Sequence, residues 1–316
     1  MISNSADEFY NSIGYHANEA FNLYYTYQCN IQCDHCCYNC GPQRTEKMSM
    51  EDAKHILKGA ASSGKRVLEL MGGELFLNYE ELSELIFYSY GIGLYVLVDT
   101  NGFWGKNFET AKCMLENLSD RGLKAISLSI DTFHQQFIPL AYPLNVIRAA
   151  HELGISSSCN FCVSSDLAKD QNLLNDIKKE TNRIFIINPV PFGRASCLQR
   201  VPEIEYCKML CIHILVNGNT FACCGHSDEN KDIINTPLYM GNCIQEDPGE
   251  VLGRKNLLCL KAFFDPNSPI WFKKFLEQEP YKKMYENKRF SHICELCIDL
   301  LHNGEISRKV IYGGAE

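Results

Sequence analysis

Between residues 20 and about 190, short apolar runs alternate with longer amphipathic ones, and this alternation constrains the fold more than any other feature of the chain. A strand followed by a helix returns beside its predecessor in parallel, so repeated strand–helix units build a parallel sheet covered by helices. The runs at 20–28, 66–71, 93–100, 123–130, 155–164 and 183–190 read as six strands. Helical spacing occupies 49–64, 79–90, 108–119, a stretch ending near 154, and 168–180. The first of these helices has Ser49 as its N-cap, Ala53, Ile56, Leu57 and Ala60 on one face, and Gly64 as its stop. Six such units predict an α/β chain whose core is a partial (β/α)6 TIM-like barrel, open at one side. Chemistry in such barrels sits on the loops after the strands. Beyond residue 198 the rhythm changes to a hairpin-like "ILVNGNTFACCG" and late helical stretches such as "WFKKFLEQEPYKKMYEN". The expected organisation is an N-terminal extension over 1–19, the barrel over 20–198, and a smaller α+β domain over 199–316.

The second constraint is cysteine. Seventeen occur in 316 residues, five of them between Cys29 and Cys40 and eight after residue 205. A disulfide framework suits short secreted domains, but this N-terminus, "MISNSADEFYNS", is polar and acidic and unlike a secretory signal. No apolar run approaches the ~20 residues that span a bilayer, so the expected location is cytoplasmic, with no membrane partner. The net charge of -8 and the lack of a Lys/Arg block exclude a phosphate-tracking surface, hence no nucleic acid. Clustered thiols in a reducing compartment point to metal or redox chemistry.

Cys29, Cys33 and Cys36 have the spacing C-x3-C-x2-C on the loop directly after the first strand. Three thiolates there suit three irons of a [4Fe–4S] cube and leave the fourth iron open. Cys33, Cys36, Cys37 and Cys40, as C-x2-C-C-x2-C, could instead wrap a zinc ion. The string "CNIQCDHC" after a barrel's first strand resembles the radical S-adenosylmethionine (SAM) superfamily. The resemblance implies that the open iron chelates SAM, and that reductive cleavage yields a 5′-deoxyadenosyl radical which abstracts a substrate hydrogen atom. It also implies roles for named residues. His35 takes the place of an aromatic near adenine. Gly72, Gly73 and Glu74, in "LMGGELFLN", meet the SAM ammonium. Ser129 and Asp131 hold the ribose or carboxylate, and Asn101 sits at a comparable mouth position. Arg194, in "PFGRA", resembles a basic residue that meets the SAM carboxylate. Bland alternatives exist for several: Asn101-Gly102 is an ordinary turn signal, Asp131 could cap a helix, and Arg194 could form a surface salt bridge.

Near the C-terminus, Cys207, Gly218 and Cys223 followed by Cys294 and Cys297 resemble the shortened auxiliary-cluster appendage called a twitch domain, a relative of the longer SPASM domain. One auxiliary [4Fe–4S] cluster on those four cysteines is implied, with Cys211 an alternative to Cys207 and structural zinc an alternative to the cluster. Cys224 is a spare thiol beside Cys223 that either packs in the hairpin or delivers a hydrogen atom. Radical SAM peptidyl epimerases use such a donor, and their first motif is similar to "CNIQCDHCCYNCGP" here. The resemblance therefore implies L-to-D epimerisation of a ribosomally made peptide bound at the open barrel mouth, supported by an electron donor such as flavodoxin or ferredoxin. Oxidation or rearrangement of a small molecule of the aminocyclitol type and peptide cross-linking are the other outcomes it allows.

Overall fold

The computed structural model describes residues 2–3, 10–198, 207, 211–224, 231–254, 256–265, 267–268, 271–290 and 292–312. The expected boundary at 198/199 borders on residues outside this set. Six strands, β2 (Ala20–Thr26), β3 (Val67–Gly72), β4 (Tyr95–Thr100), β5 (Leu123–Ser129), β6 (Ser156–Cys162) and β7 (Ile184–Ile187), lie side by side in chain order and all parallel. Between them run α1 (Met50–Ser62), α2 (Tyr79–Gly91), α3 (Phe108–Asp120), α4 (Ala141–Glu152) and α5 (Leu167–Ile177). The sequence explains these helices locally. Ser49 accepts a hydrogen bond from Asp52 N at the start of α1, and Asn107 accepts one from Thr110 N at the start of α3. Each helix buries one apolar stripe, Ala53, Ile56, Leu57 and Ala60 in α1 and Ala111, Leu115 and Leu118 in α3.

Two additions complete a ten-stranded sheet. Ile2–Ser3 forms β1, a parallel strand on the outer edge of β7. At the other edge β8 (Ile212–Ile214) runs parallel to β2 and continues antiparallel through β9 (Asn219–Phe221) and β10 (Tyr239–Asn242). The expected hairpin is thus β8–β9, and it extends the barrel sheet. Six further helices follow: α6 (Pro248–Leu252), α7 (Asn256–Phe264), α8 (Phe272–Leu276), α9 (Tyr281–Tyr285), α10 (Ile293–His302) and α11 (Gly304–Tyr312). Among the described residues, no helix is long and apolar enough to cross a membrane.

The sheet is concave. Residues from all six of the strands β2 to β7 line a single cavity of about 420 Å³. Inward side chains recur every second residue, so they stack in layers. The lowest layer is apolar: Ala20, Val67, Leu97 and Ala125 pack against Tyr10, which closes the base of the barrel from the N-terminal segment.

Candidate active site

The loop from β2 to α1 carries the first cysteine set and is folded back on its own root. Cys29 N donates to Gly41 O (3.1 Å), Gly41 N to Tyr27 O (3.2 Å) and Cys36 N to Cys33 O (3.2 Å). Arg194 clamps it from the far side of the barrel. Its Nε donates to Cys33 O (2.8 Å), a terminal guanidinium nitrogen donates to Cys40 O (2.7 Å), and its backbone N–H donates to Cys36 O (3.1 Å). The guanidinium expected to meet a carboxylate is therefore bonded to loop carbonyls. Gly193 (φ +55°) makes this approach possible, because a Cβ there would lie 2.5 Å from Cys37 O. The Gly-Gly-Glu turn braces the same root: Gly73 N donates to Thr26 O (2.7 Å) and Glu74 N to Gln28 O (2.8 Å). A side chain on Gly73 would run into the Gln28 carbonyl.

Cys29, Cys33 and Cys36 all line the central cavity, as do His35, Gly72 and Gly73. Asn101, Ser129 and Arg194 complete its upper wall. Asn101 Nδ2 donates to Asn30 Oδ1 (2.8 Å) and approaches Cys29 Sγ (3.9 Å). Two expected contacts do not reach the cavity. Glu74 is fully buried, and its carboxylate accepts from Phe76 N, Asn101 N and Thr100 Oγ1 at 2.8–3.0 Å. Burial pushes it up to about 7 in spite of those bonds. Asp131 is likewise buried and accepts from the backbone N–H groups of Phe133 and His134. It also holds His134 Nδ1 at 2.9 Å and His35 Nε2 at 3.6 Å. Burial works against its charge, but His134 keeps it ionised, down at about 2. His35, by contrast, is driven down to about 4 by burial against the pull of Asp131, so it presents a neutral ring, tilted by 30° against Phe133 with the centroids 4.6 Å apart.

The thiols fit an iron–sulfur cube better than a single ion. Among the described residues no two cysteines are joined in a disulfide. Among those residues, the one His/Cys/Asp/Glu trio whose ligand atoms lie within 4.8 Å of one another is Cys33, His35 and His134. The zinc alternative of Cys33, Cys36, Cys37 and Cys40 is not drawn together to that degree. A tetrahedral zinc site requires tighter convergence, with each sulfur only ~2.3 Å from the ion, whereas the corners of a cube hold their ligands further apart. Cys36 is held below the ordinary thiol range by its hydrogen bond with Cys40 and then by Arg194, and the thiolate is the form that binds metal.

The second set converges at a separate small pocket lined by Cys207, Cys223, Cys294 and Cys297 with Phe192 and Leu238. Cys294 and Cys297 are three apart on α10, on one face of the helix. Cys211 is not on this pocket; its Sγ lies 2.9 Å from His213 Nε2, whose Nδ1 is 3.2 Å from Tyr24 Oη. Cys207, Cys223, Cys224 and Cys294 also line the central cavity, so the two cysteine sets share its upper wall. Tyr38, from the first loop, donates its hydroxyl to Cys224 O (2.6 Å) and ties the two sets together. His134, Tyr24 and Tyr38 were missed by sequence reasoning; only their place on the cavity wall marks them, and spacing does not report that.

Residues 23–171 match the Radical SAM superfamily model. Over 297 residues, 88% of this chain and 90% of the relative, the sequence is 26% identical to YydG, described as a peptide biosynthesis protein of Bacillus subtilis (strain 168). Two solved structures share the fold. SuiB of Streptococcus suis bound to S-adenosylmethionine aligns with TM-score 0.54 and 14% identity over 78% of this chain and 66% of its own. anSMEcpe with bound AdoMet and Cp18Cys peptide aligns with TM-score 0.51 and 16% identity over 78% and 83%. The chain spans about two thirds of SuiB's length. Enzymes of this kind use a [4Fe–4S] cluster and SAM, and the open-cornered thiol set at the barrel mouth suits both. By the match over residues 23–171 and the cysteine loop at the mouth of its half-open barrel, this enzyme carries a radical SAM domain.

Proposed function

We propose that this enzyme modifies a ribosomally made peptide, abstracting a backbone hydrogen atom and returning one from Cys224 to the opposite face, so that an L residue becomes D. The observation that carries this reading is that Cys224 lines the same cavity as Cys29, Cys33 and Cys36. The relative YydG is described as a peptide biosynthesis protein, and anSMEcpe is solved with a peptide; both favour a peptide at the mouth. When bound, the cluster and SAM supply the 5′-deoxyadenosyl radical. The chain's own residues do the rest. Arg194 and the Gly-Gly-Glu turn hold the cysteine loop, His35 offers its neutral ring to the adenine side, and Asn101 and Ser129 are polar groups on the SAM-facing wall. The Cys224 S–H bond breaks to give the hydrogen atom, leaving a thiyl that one electron and one proton restore. An external donor such as flavodoxin or ferredoxin provides the electrons. In the same reading, Cys207, Cys223, Cys294 and Cys297 hold one auxiliary [4Fe–4S] cluster within a domain spanning 199–316, and the barrel spans 20–198.

The test is anaerobic incubation of reconstituted enzyme with SAM, a reductant and the short peptides encoded beside its gene, in heavy water. The expected product gains one deuterium and is otherwise unchanged in mass. Cys224→Ala is expected to cleave SAM and form no D residue. Loss of two hydrogens, or a Cys224→Ala variant that still epimerises, would sink the epimerase reading.

A further inference from the structure

Above the apolar base of the barrel lies a layer that the radical chemistry does not use. Asn22 on β2, Glu69 on β3, Asp99 on β4 and Ser127 on β5 all line the central cavity. Asn22 is the register neighbour of Glu69, and Asp99 of Ser127; Glu69 itself is level with Leu97, and Asp99, two residues further along β4, leans to it, so the four form a polar tier beside the apolar Ala20, Val67, Leu97 and Ala125. A barrel interior at this height is ordinarily filled by branched apolar side chains. Here two carboxyl groups face each other within hydrogen-bonding reach, and among the described residues neither has a cationic partner. Isolated buried charge is expensive, and burial accordingly pushes Glu69 and Asp99 above the usual carboxylate range.

The tier is not a closed internal network. Asn22 is 4% exposed, and its Nδ2 is occupied by His213 Nε2 (3.2 Å) and Cys211 Sγ (3.9 Å). Its Oδ1 is buried and has no hydrogen-bond partner, and Asp99 Oδ1 receives no donor either. Buried polar atoms serving only structure are normally bonded. Acceptors left without donors, beside a carboxyl pair that lacks a cation, complement a group that is all donor, and an ammonium or guanidinium is the side-chain class of that kind.

We propose that Asn22, Glu69 and Asp99 form a cation-binding subsite in the barrel lumen that takes an ammonium or guanidinium group of the substrate, as on a Lys or Arg side chain. This deepens the peptide reading by naming a part of the substrate the lumen holds, and it requires no radical step. The test is calorimetric titration of the anaerobically reconstituted, SAM-loaded, unreduced enzyme with n-pentylammonium chloride and with n-pentanol as its neutral match. The ammonium is expected to bind at least tenfold more tightly than the alcohol. The double variant Glu69→Gln/Asp99→Asn is expected to lose that margin, and Asn22→Asp, which adds a charge without adding volume, to tighten ammonium binding several-fold. Equal affinity for the two probes overturns the proposal, as does an Asn22→Asp variant that binds ammonium no better. That second variant keeps the idea refutable should the double variant fail to load iron. Because no reductant is present, absent SAM cleavage or unmodified peptides count against the function reading alone, while an absent ammonium preference counts against the subsite alone.

Discussion

Gly73 and Glu74 serve as structural keys to the cysteine loop. With no room for a Cβ beside the Gln28 carbonyl, Gly73→Ala must push the exits of β2 and β3 apart. Overpacking of this kind costs ~1–3 kcal/mol, so a lower melting temperature and reduced iron loading on the first cysteine set are expected. Glu74 sets a pH dependence. Burial raises it to about 7 in the folded chain, against an ordinary value of ~4.3 when unfolded. Between these values the folded state binds the extra proton, so its stabilising contribution is complete below the unfolded value and is lost as pH rises through about 7. Metal-free protein is therefore expected to melt lower at pH 7.5 than at pH 5, with Glu74→Gln flattening the difference in a thermal melt series. No change of slope in that variant would remove Glu74 as the cause.

At the scale of elements, three of the barrel helices, α1, α3 and α5, carry their own capping side chains in Ser49, Asn107 and Asp166. Asn107 caps α3 by accepting from Thr110 N at 2.9 Å, and the helix lies on the outside of the barrel. Asn107→Ala is expected to cost ~1 kcal/mol, seen as a small drop in melting temperature with unchanged iron content. Ser49 and the strand runs were equally readable, since caps and the two-residue and 3.6-residue periods are local. The unforeseen strands are the ones without local signals. Ile2–Ser3 is too short for periodicity, and Tyr239–Asn242 contains Gly241 at φ +125° and a register shift against β9. Both form because an existing sheet edge offers them unpaired backbone groups.

For the whole molecule, the continuity of the sheet through β2 and β8 brings cysteines from opposite ends of the chain to one cavity wall. Of the two cysteines that spacing left open, Cys207 lines the small pocket and Cys211 does not, and we propose Cys207 as the ligand. Cys297→Ser is expected to remove about four irons, the content of one cube, while Cys211→Ser retains them. Iron analysis and visible absorbance of anaerobic protein check both, and iron loss in Cys211→Ser with retention in Cys207→Ser would reverse the assignment.

Alternation of apolar runs, helix caps and the C-x3-C-x2-C spacing were enough to specify six parallel strands, their helices and a cysteine loop at the barrel mouth, because each is a property of neighbours along the chain. Tertiary structure alone decided what the polar residues near that mouth do. Glu74 and Asp131 turned inward to satisfy backbone N–H groups, and Arg194 crossed the barrel to loop carbonyls more than 150 positions away. The tier of Asn22, Glu69 and Asp99 likewise exists only once β2, β3 and β4 lie side by side and face one cavity. Hydrogen-bond partners and burial depend on closure of the sheet, and no spacing in a linear chain encodes which side chains that closure will face toward one another.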